Sequence, residues 1–358
     1  MIQTKKKWLS LLSIIPLLLC SCRDKDNSEK ASYDDNGRVI IHTKVQQAFL
    51  NDTVGNVNLY ARGVEELSRP ISPTFSWNGG NNAHTVTISE NSDYSDGMVY
   101  QVSKSEVSFQ NLKIDIKYYY KAESSGILIY EDSFTTSDEL VRNVYISGVT
   151  NARDLGGYPA GETKVKQGLI YRTGRLNENS TETVTNKITE KGIKTMVEEL
   201  KFKSEIDLRM VSNNEVGGLT EGVGVLGESV KYYQCPMDYT HITADYNTES
   251  LRKVFSILGN KDNYPTFFHC SIGTDRTGYV AWLINAYLGV SEDNLYRDYV
   301  FSNFGNIGGS RSPDTIKGGY VTKINNMPGE TLSEKAKNWL LDRGVSESDL
   351  SVLKEMML

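Results

Sequence analysis

The chain has 358 residues, enough for two or three domains at roughly 100–200 residues each. Hydrophobic residues make up 39% and charged residues 23%, which excludes a chain too polar to bury a core. The formal net charge of −6 disfavours a general nucleic-acid binder, because phosphate-backbone binding needs a basic face. Four cysteines in so long a chain do not make a disulfide scaffold.

Lys5, Lys6 and Lys7 precede an apolar run from Trp8 to Cys20. The run is shorter than the about 20 apolar residues a bilayer span needs and suits the h-region of a signal peptide. It ends in Leu19-Cys20-Ser21-Cys22, which resembles the lipobox of bacterial lipoproteins. Cys22 is the expected lipidation site because Ser21 before it is small, whereas Cys20 follows the bulky Leu19. The resemblance implies an exported lipoprotein of the cell envelope, held at the membrane by lipid alone. Loss of residues 1–21 removes three lysines and no acids, taking the net charge from −6 to −9. Residues 22–37 are polar and read as a tether.

Residues 38–140 show short alternating runs, among them Val39–Thr43, Thr85–Ser89 and Lys117–Lys121, separated by turn clusters such as Asn78–Asn82. This pattern predicts a β-sandwich. The order of Trp77, Leu112, the Tyr118–Tyr120 run and Phe134-Thr135-Thr136 resembles a fibronectin type III-like module, and the tyrosines are expected to pack across strands.

From residue 141 onward the texture is α/β. Strands are predicted at Val144–Ile146, Gly168–Tyr171, Ile206–Leu208, Val230–Tyr233 and Thr266–Phe268. One helix is predicted to start near Ser180 and end at a Gly192 C-cap, and another to run from Thr248 to Leu258. Gly289 and Gly344 are predicted to end helices, with Ser291 and Ser346 capping the next ones.

The chemistry is concentrated in Phe268-His269-Cys270-Ser271-Ile272-Gly273-Thr274-Asp275-Arg276-Thr277-Gly278. An apolar run enters it and a very apolar run, Tyr279–Leu288, leaves it. Strand, tight loop and helix together place backbone N–H groups at a helix N-terminus, where an anion binds. A cysteine there has its pKa lowered and reacts as a thiolate. Arg276 can hold two oxygens of a phosphoryl group, and Thr277 can donate to the thiolate. The segment resembles the H-C-x-x-G-x-D-R-T-G loop of cysteine-dependent phosphatases. Asn151–Tyr158, Tyr171-Arg172 and Asp207-Leu208-Arg209 extend the resemblance to the bacterial tyrosine-phosphatase-like branch across residues 143–358. A secreted member of that branch carries Lys where this chain has Thr274.

The resemblance implies Cys270 as nucleophile, Arg276 as phosphate binder, and Ser271, Ile272, Gly273, Thr274, Asp275, Arg276 and Thr277 as the phosphate loop. Asp238, in Cys235-Pro236-Met237-Asp238, is the first candidate for general acid and Asp275 the second. Asp207 and Arg209 are expected to form a structural ion pair. Cys235 is read as a buried thiol, with a protective disulfide to Cys270 as the alternative. The implied substrate is a phosphorylated protein or a small phosphoester. Phosphoinositides or inositol phosphates are the alternative substrate, and a catalytically silent surface lipoprotein is the alternative of another class. No cofactor is needed. His42, His84, His241 and His269 lack metal-ligand spacing, so no metal is expected. Gly222–Gly227 satisfies G-x-G-x-x-G but opens no helix, so it fails as a dinucleotide site. Gly305–Gly319 is expected to be a loop.

Overall fold

The computed structural model describes residues 27–79, 82–178, 187–212 and 214–358. The signal segment, Cys22, the centre of the Asn78–Asn82 turn and the expected helix start at Ser180 lie outside the described residues.

A six-stranded sheet organises the C-terminal part. Its order is Gly222–Val223, Lys231–Gln234, Ser204–Asp207, Thr266–His269, Ile170–Thr173 and Arg153–Asp154. The four inner strands are parallel and the two edge pairings antiparallel. Thr266–His269 lies between two parallel neighbours and is buried throughout, as a continuous apolar run in such a position should be. Its carboxyl end delivers Cys270 to the crevice where ligands of open parallel sheets bind. The helix that follows, Asp275–Leu288, is buried along nearly its whole length, which accounts for its lack of a polar face. Thr248–Leu258 is helical with the predicted ends. Gly289 and Gly344 adopt the positive φ expected of helix stops, and Ser346 accepts from the Asp349 N–H as an N-cap.

The N-terminal part contains a three-stranded sheet, Ser28–Lys30, Ser72–Ser76 and Glu106–Ser108, and a four-stranded sheet, Met98–Val102, His84–Ser89, Lys117–Ser124 and Ile127–Thr135. Their facing residues share one core, in which Phe75 and Val107 meet Val86, Tyr118, Tyr120 and Phe134. Tyr118 and Tyr120 are buried there, so cross-strand packing is their role. A cleft of about 450 Å³ at the junction with the C-terminal part is lined by Lys113, Asp115, Gly157, Lys164 and Gln167, and no phosphate-loop residue borders it. Its Lys113 and Lys164 are paired with Glu90 and Asp115, each at 2.7 Å.

Five expectations change. Part of the tether is ordered: Ser28–Lys30 pairs in parallel with Ser72–Thr74, and Asp34 accepts from the N–H groups of Asn36 and Arg38 to form a turn. Val39–Thr43 is not a strand. Val39 makes isolated bridges, and Thr43 forms a capping box with Gln46 that starts the helix Lys44–Leu50. That helix and the turn Val54–Leu59 leave the β-sheets and pack Phe49, Val54 and Val57 into the C-terminal core. Val144–Ile146 forms no strand, although Val144 bonds to Ala152 O. Gly192 lies inside the helix Glu190–Lys194, capped by Thr189. A Cβ there would come within 2.2 Å of Ser147 O, so close packing explains the glycine. Gly305–Gly319 is also only partly a loop, since Asp314–Ile316 and Lys317–Val321 are helical.

Candidate active site

The phosphate loop is a ring of peptides whose carbonyls are pinned from outside. Ser271 O accepts from Arg175 through its N–H (3.2 Å) and Nη1 (3.1 Å). Ile272 O and Gly273 O accept from Asn151 Nδ2 at 3.0 and 3.1 Å. Arg172 Nη2 donates to Gly273 O at 2.8 Å and to Thr274 O at 3.4 Å. A trans peptide directs its N–H opposite its carbonyl. Outward carbonyls on residues 271–274 therefore aim the N–H groups of Ile272, Gly273, Thr274 and Asp275 into the ring. Gly273 makes the turn possible, because its φ is +69° and a Cβ would lie 2.4 Å from Thr173 O. Gly273→Ala is expected to misplace these amides and lower kcat/KM roughly hundredfold. Steady-state kinetics with product inhibition by inorganic phosphate would check it, and an unchanged phosphate inhibition constant would speak against it.

The pinning groups are themselves locked by buried ion pairs. Asp298 pairs with Arg153 at 2.7 Å and with Arg172 at 2.5 Å. Burial favours the neutral acid, but these two guanidiniums hold the Asp298 carboxyl below its usual value. Arg153 also donates to Asn151 Oδ1, which orients the Asn151 amide toward the loop. Beneath the strand end, the His269 ring bonds Glu205 Oε1 at 3.0 Å and Cys270 O at 3.3 Å. Both partners are acceptors, an arrangement that favours the doubly protonated, cationic ring. Burial opposes this, but Asp207 and Glu205 raise its pKa. Burial likewise opposes ionisation of Asp207, yet His269 and Arg209 hold its pKa at about 2. Arg209 and Tyr232 occupy its oxygens, which is the structural role expected for the Asp207–Arg209 pair.

Cys270 is 2% exposed. Burial alone would raise its pKa, but Arg276 and the Thr277 hydroxyl and N–H bring it below the usual thiol value. Arg276 is held by Glu215 at 2.6 Å and by carbonyl contacts to Leu208 and Met237, and it also donates to Ser271 Oγ at 3.3 Å. The Tyr239 ring lies 5.5 Å from its guanidinium.

Asp238 is partly exposed in the loop after Lys231–Gln234. Its N–H donates to Asn247 Oδ1 (2.8 Å), and its carboxylate accepts from the Thr240 N–H (2.7 Å). The Thr240 contact is the main cause of a pKa below the usual carboxylate value, and Arg276 contributes. Asp275 points elsewhere: Arg311 grips both of its oxygens at 3.1 Å and Tyr299 Oη donates at 3.3 Å. The Thr274 side chain is buried and takes a bond from Asn151. Cys235 is a free, buried thiol whose pKa burial pushes up to about 12, the condition of an inert core residue. Among the described residues, no group of three or more His, Cys, Asp and Glu is arranged to hold a metal ion, and no helix is long and apolar enough to cross a membrane.

The sequence reading missed Arg175, Glu205, Glu215, Asp298 and Arg311.

A model of the tyrosine phosphatase family matches residues 144–358. The chain belongs to the tyrosine phosphatase family. Among curated relatives, a Cupriavidus necator protein named as a tyrosine-protein phosphatase is 26% identical over 181 residues, covering 43% of this chain and 61% of the relative. The chain thus spans less than two thirds of that relative's length. Two solved structures align with about half of this chain. One is the catalytic core of the PP-IP phosphatase SIW14 from S. cerevisiae with citrate, at 22% identity, covering 48% of this chain and 89% of that one, with a TM-score of 0.30. The other is P. aeruginosa TpbA with pTyr, at 15% identity, covering 48% and 87%, also with a TM-score of 0.30. The family match takes in the sheet and every residue that pins the phosphate loop, but not the Lys44–Leu50 helix.

Proposed function

We propose that the protein is a phosphomonoester hydrolase of the tyrosine phosphatase type, working through a phosphocysteine. The observation that carries this reading is a buried thiol of lowered pKa below a ring of inward amides, with Arg276 across from it. The Cys270 thiolate attacks phosphorus and the P–O ester bond breaks. The ester oxygen leaves with the electron pair and takes a proton from Asp238. Water then attacks phosphorus, Asp238 accepts its proton, and the P–S bond breaks to return the thiolate and inorganic phosphate. The ring amides and Arg276 stabilise the charge on the transferring oxygens.

Asp238 is assigned as acid over Asp275 because Arg311 and Tyr299 already occupy the Asp275 carboxylate. The low pKa of Asp238 gives a pH signature. Above that pKa its protonated fraction falls tenfold per unit, while the thiolate fraction changes in the opposite sense only up to the thiol pKa. Turnover of an alkyl phosphate, which needs the proton, should fall with rising pH once the thiol is ionised. An aryl phosphate with a good leaving group should instead rise to a plateau as the thiol ionises. Asp238→Asn should give the alkyl profile that rising shape at a low rate. An unchanged alkyl profile in that variant would reject Asp238 as the acid.

The substrate is read as a phosphorylated protein, with tyrosine phosphate favoured over phosphoinositides. Thr274 is neutral and buried, and Arg311 is paired with Asp275. Neither offers the extra cation that a second phosphate would need. A panel of phosphotyrosine peptides, phosphoserine peptides and phosphoinositides, with Cys270→Ser as control, tests this, and phosphoinositide turnover above peptide turnover would reverse the order. The N-terminal sheets are read as a fibronectin type III-like module. In support, the Lys113 N–H donates to Tyr118 Oη at 2.9 Å at the start of its strand, as in a tyrosine corner. The parallel pairing of Ser28–Lys30 departs from that pattern. Lipidation at Cys22 and export to the cell envelope complete the proposal, and metabolic labelling with palmitate in wild-type and Cys22→Ala protein would test them.

A further inference from the structure

The part of the chain that precedes the family match reaches the phosphate loop through one continuous set of contacts. Gly63 exchanges backbone bonds with the 303–309 loop: its N–H donates to Asn303 O (2.8 Å), and its carbonyl accepts from Ile307 and Gly309 (3.0 Å each). The Leu67 N–H donates to Phe304 O at 2.6 Å. Glu66 accepts from the Asn306 N–H (3.3 Å) and from the Thr150 hydroxyl. Phe49 packs on Phe301 and Phe304. Within the braced loop, Asn303 bonds the Arg311 backbone on both sides at 2.7 Å. Arg311 then holds both carboxylate oxygens of Asp275, the residue of the phosphate loop next to Arg276.

We propose that Arg311, held by the Gly63–Leu67 brace, is a positioning residue for the reacting thiol, acting by gripping and neutralising Asp275. The proposal rests on Cys270 being the reacting group. The charges and donors that act on that thiol are Arg276, Thr277 and Asp275 from the helix, with Arg311 acting from the braced loop and the His269–Asp207–Glu205 cluster lying behind it. Of the acids around it, Glu215 is paired with Arg276, and Asp207 and Glu205 lie against His269, while Asp275 is the acid of the phosphate loop itself and its charge opposes the thiolate. A free Asp275 would both raise the thiol pKa and compete with an incoming phosphate dianion at the same amides. The bidentate pair prevents both, because the carboxylate is fixed by two parallel bonds and balanced by a cation.

Alkylation of Cys270 by iodoacetamide as a function of pH, on the full chain, tests the proposal, since the thiolate is the species that reacts. At a pH below the titration midpoint of both proteins, Arg311→Gln should react roughly tenfold more slowly, the change equal to one unit of thiol pKa. Arg311→Gln combined with Asp275→Asn should return to within about twofold of the unaltered protein. Arg311→Lys, which keeps the charge, should stay within about threefold. Glu66→Gln, which loosens the brace alone, should fall between the unaltered protein and Arg311→Gln. An unchanged rate in Arg311→Gln, or a double variant as slow as the single one, would overturn the proposal, and an unchanged rate in Glu66→Gln would remove the brace from it. Alkylation needs no turnover, so a protein inactive on every phosphoester would sink the hydrolase reading and leave this measurement standing.

Discussion

Cys270→Ser should leave a folded protein with phosphoester turnover reduced by roughly 10⁵- to 10⁶-fold, as when a covalent nucleophile is removed elsewhere. The serine hydroxyl does not ionise near neutral pH, so the features that lower the thiol pKa cannot make it a nucleophile. The fold should survive because Arg276 is not orphaned. Glu215 remains 2.6 Å from it, and the cost of an unpaired buried charge does not arise. The binding ring also remains, so inorganic phosphate should still bind the variant. Calorimetric titration with phosphate, together with a thermal melt, separates this outcome from unfolding. A variant that has lost phosphate binding along with activity would mean that the thiolate holds the loop open, contrary to the carbonyl pinning described above.

Asp298→Ala should be the most damaging change outside the loop. It leaves Arg153 and Arg172, both essentially inaccessible to solvent, without their shared carboxylate. Removing one partner from a buried charge cluster costs about 3–5 kcal/mol, a large part of the about 5–15 kcal/mol that holds a typical domain together. The damage should reach the site as well. An unpaired Arg172 no longer fixes Gly273 O and Thr274 O, and Arg153 no longer orients Asn151. The folded fraction should therefore bind phosphate weakly. Because the folded-state pKa of Asp298 is depressed, its contribution is complete above the unfolded value of about 3.9 and is lost as pH falls through the lower folded value. The stability gap between wild type and variant should accordingly shrink only in strong acid. Urea unfolding at neutral pH and at about pH 3 measures it, and a gap under about 1 kcal/mol at neutral pH would show that the network is dispensable.

The phosphate loop was legible in the sequence because its parts are local. Strand, cysteine, glycine, arginine and helix fall within Thr266–Leu288, so neighbouring residues define both the turn and the anion site. Asn151 and Arg172 were legible only through resemblance, as residues in a pattern without a stated contact, whereas Asp207 and Arg209 were expected as an ion pair. The structure supplies the missing contacts, and both Asn151 and Arg172 reach backbone carbonyls of the phosphate loop.

Glu215, Asp298 and Arg311 were not legible because they meet the site across long stretches of chain. Arg276 and Glu215 are 61 residues apart, and Arg153 and Asp298 are 145 apart. No local periodicity reports such a pairing. The segment around Lys44–Leu50 was misread for another reason. It lay within the range 38–140 read as β throughout, and that reading hid a short helix. A local signal was present in Thr43-Lys44-Val45-Gln46, the S/T-x-x-E/Q capping box, which the structure forms in full. The tyrosine run was read correctly because period-two burial is itself local: Tyr118 and Tyr120 point inward while Tyr119 faces the other side.

The covalent intermediate offers the most direct test of the whole reading. Full-length protein mixed with a ³²P-labelled phosphotyrosine peptide and quenched within milliseconds should carry label on Cys270 alone, approaching one phosphoryl group per active site. Asp238→Asn should accumulate or retain that label under conditions where wild type clears it, because the base that activates water is missing. Cys270→Ser should carry none. Label on another residue, or turnover that persists in Cys270→Ser, would contradict a phosphocysteine mechanism at this site.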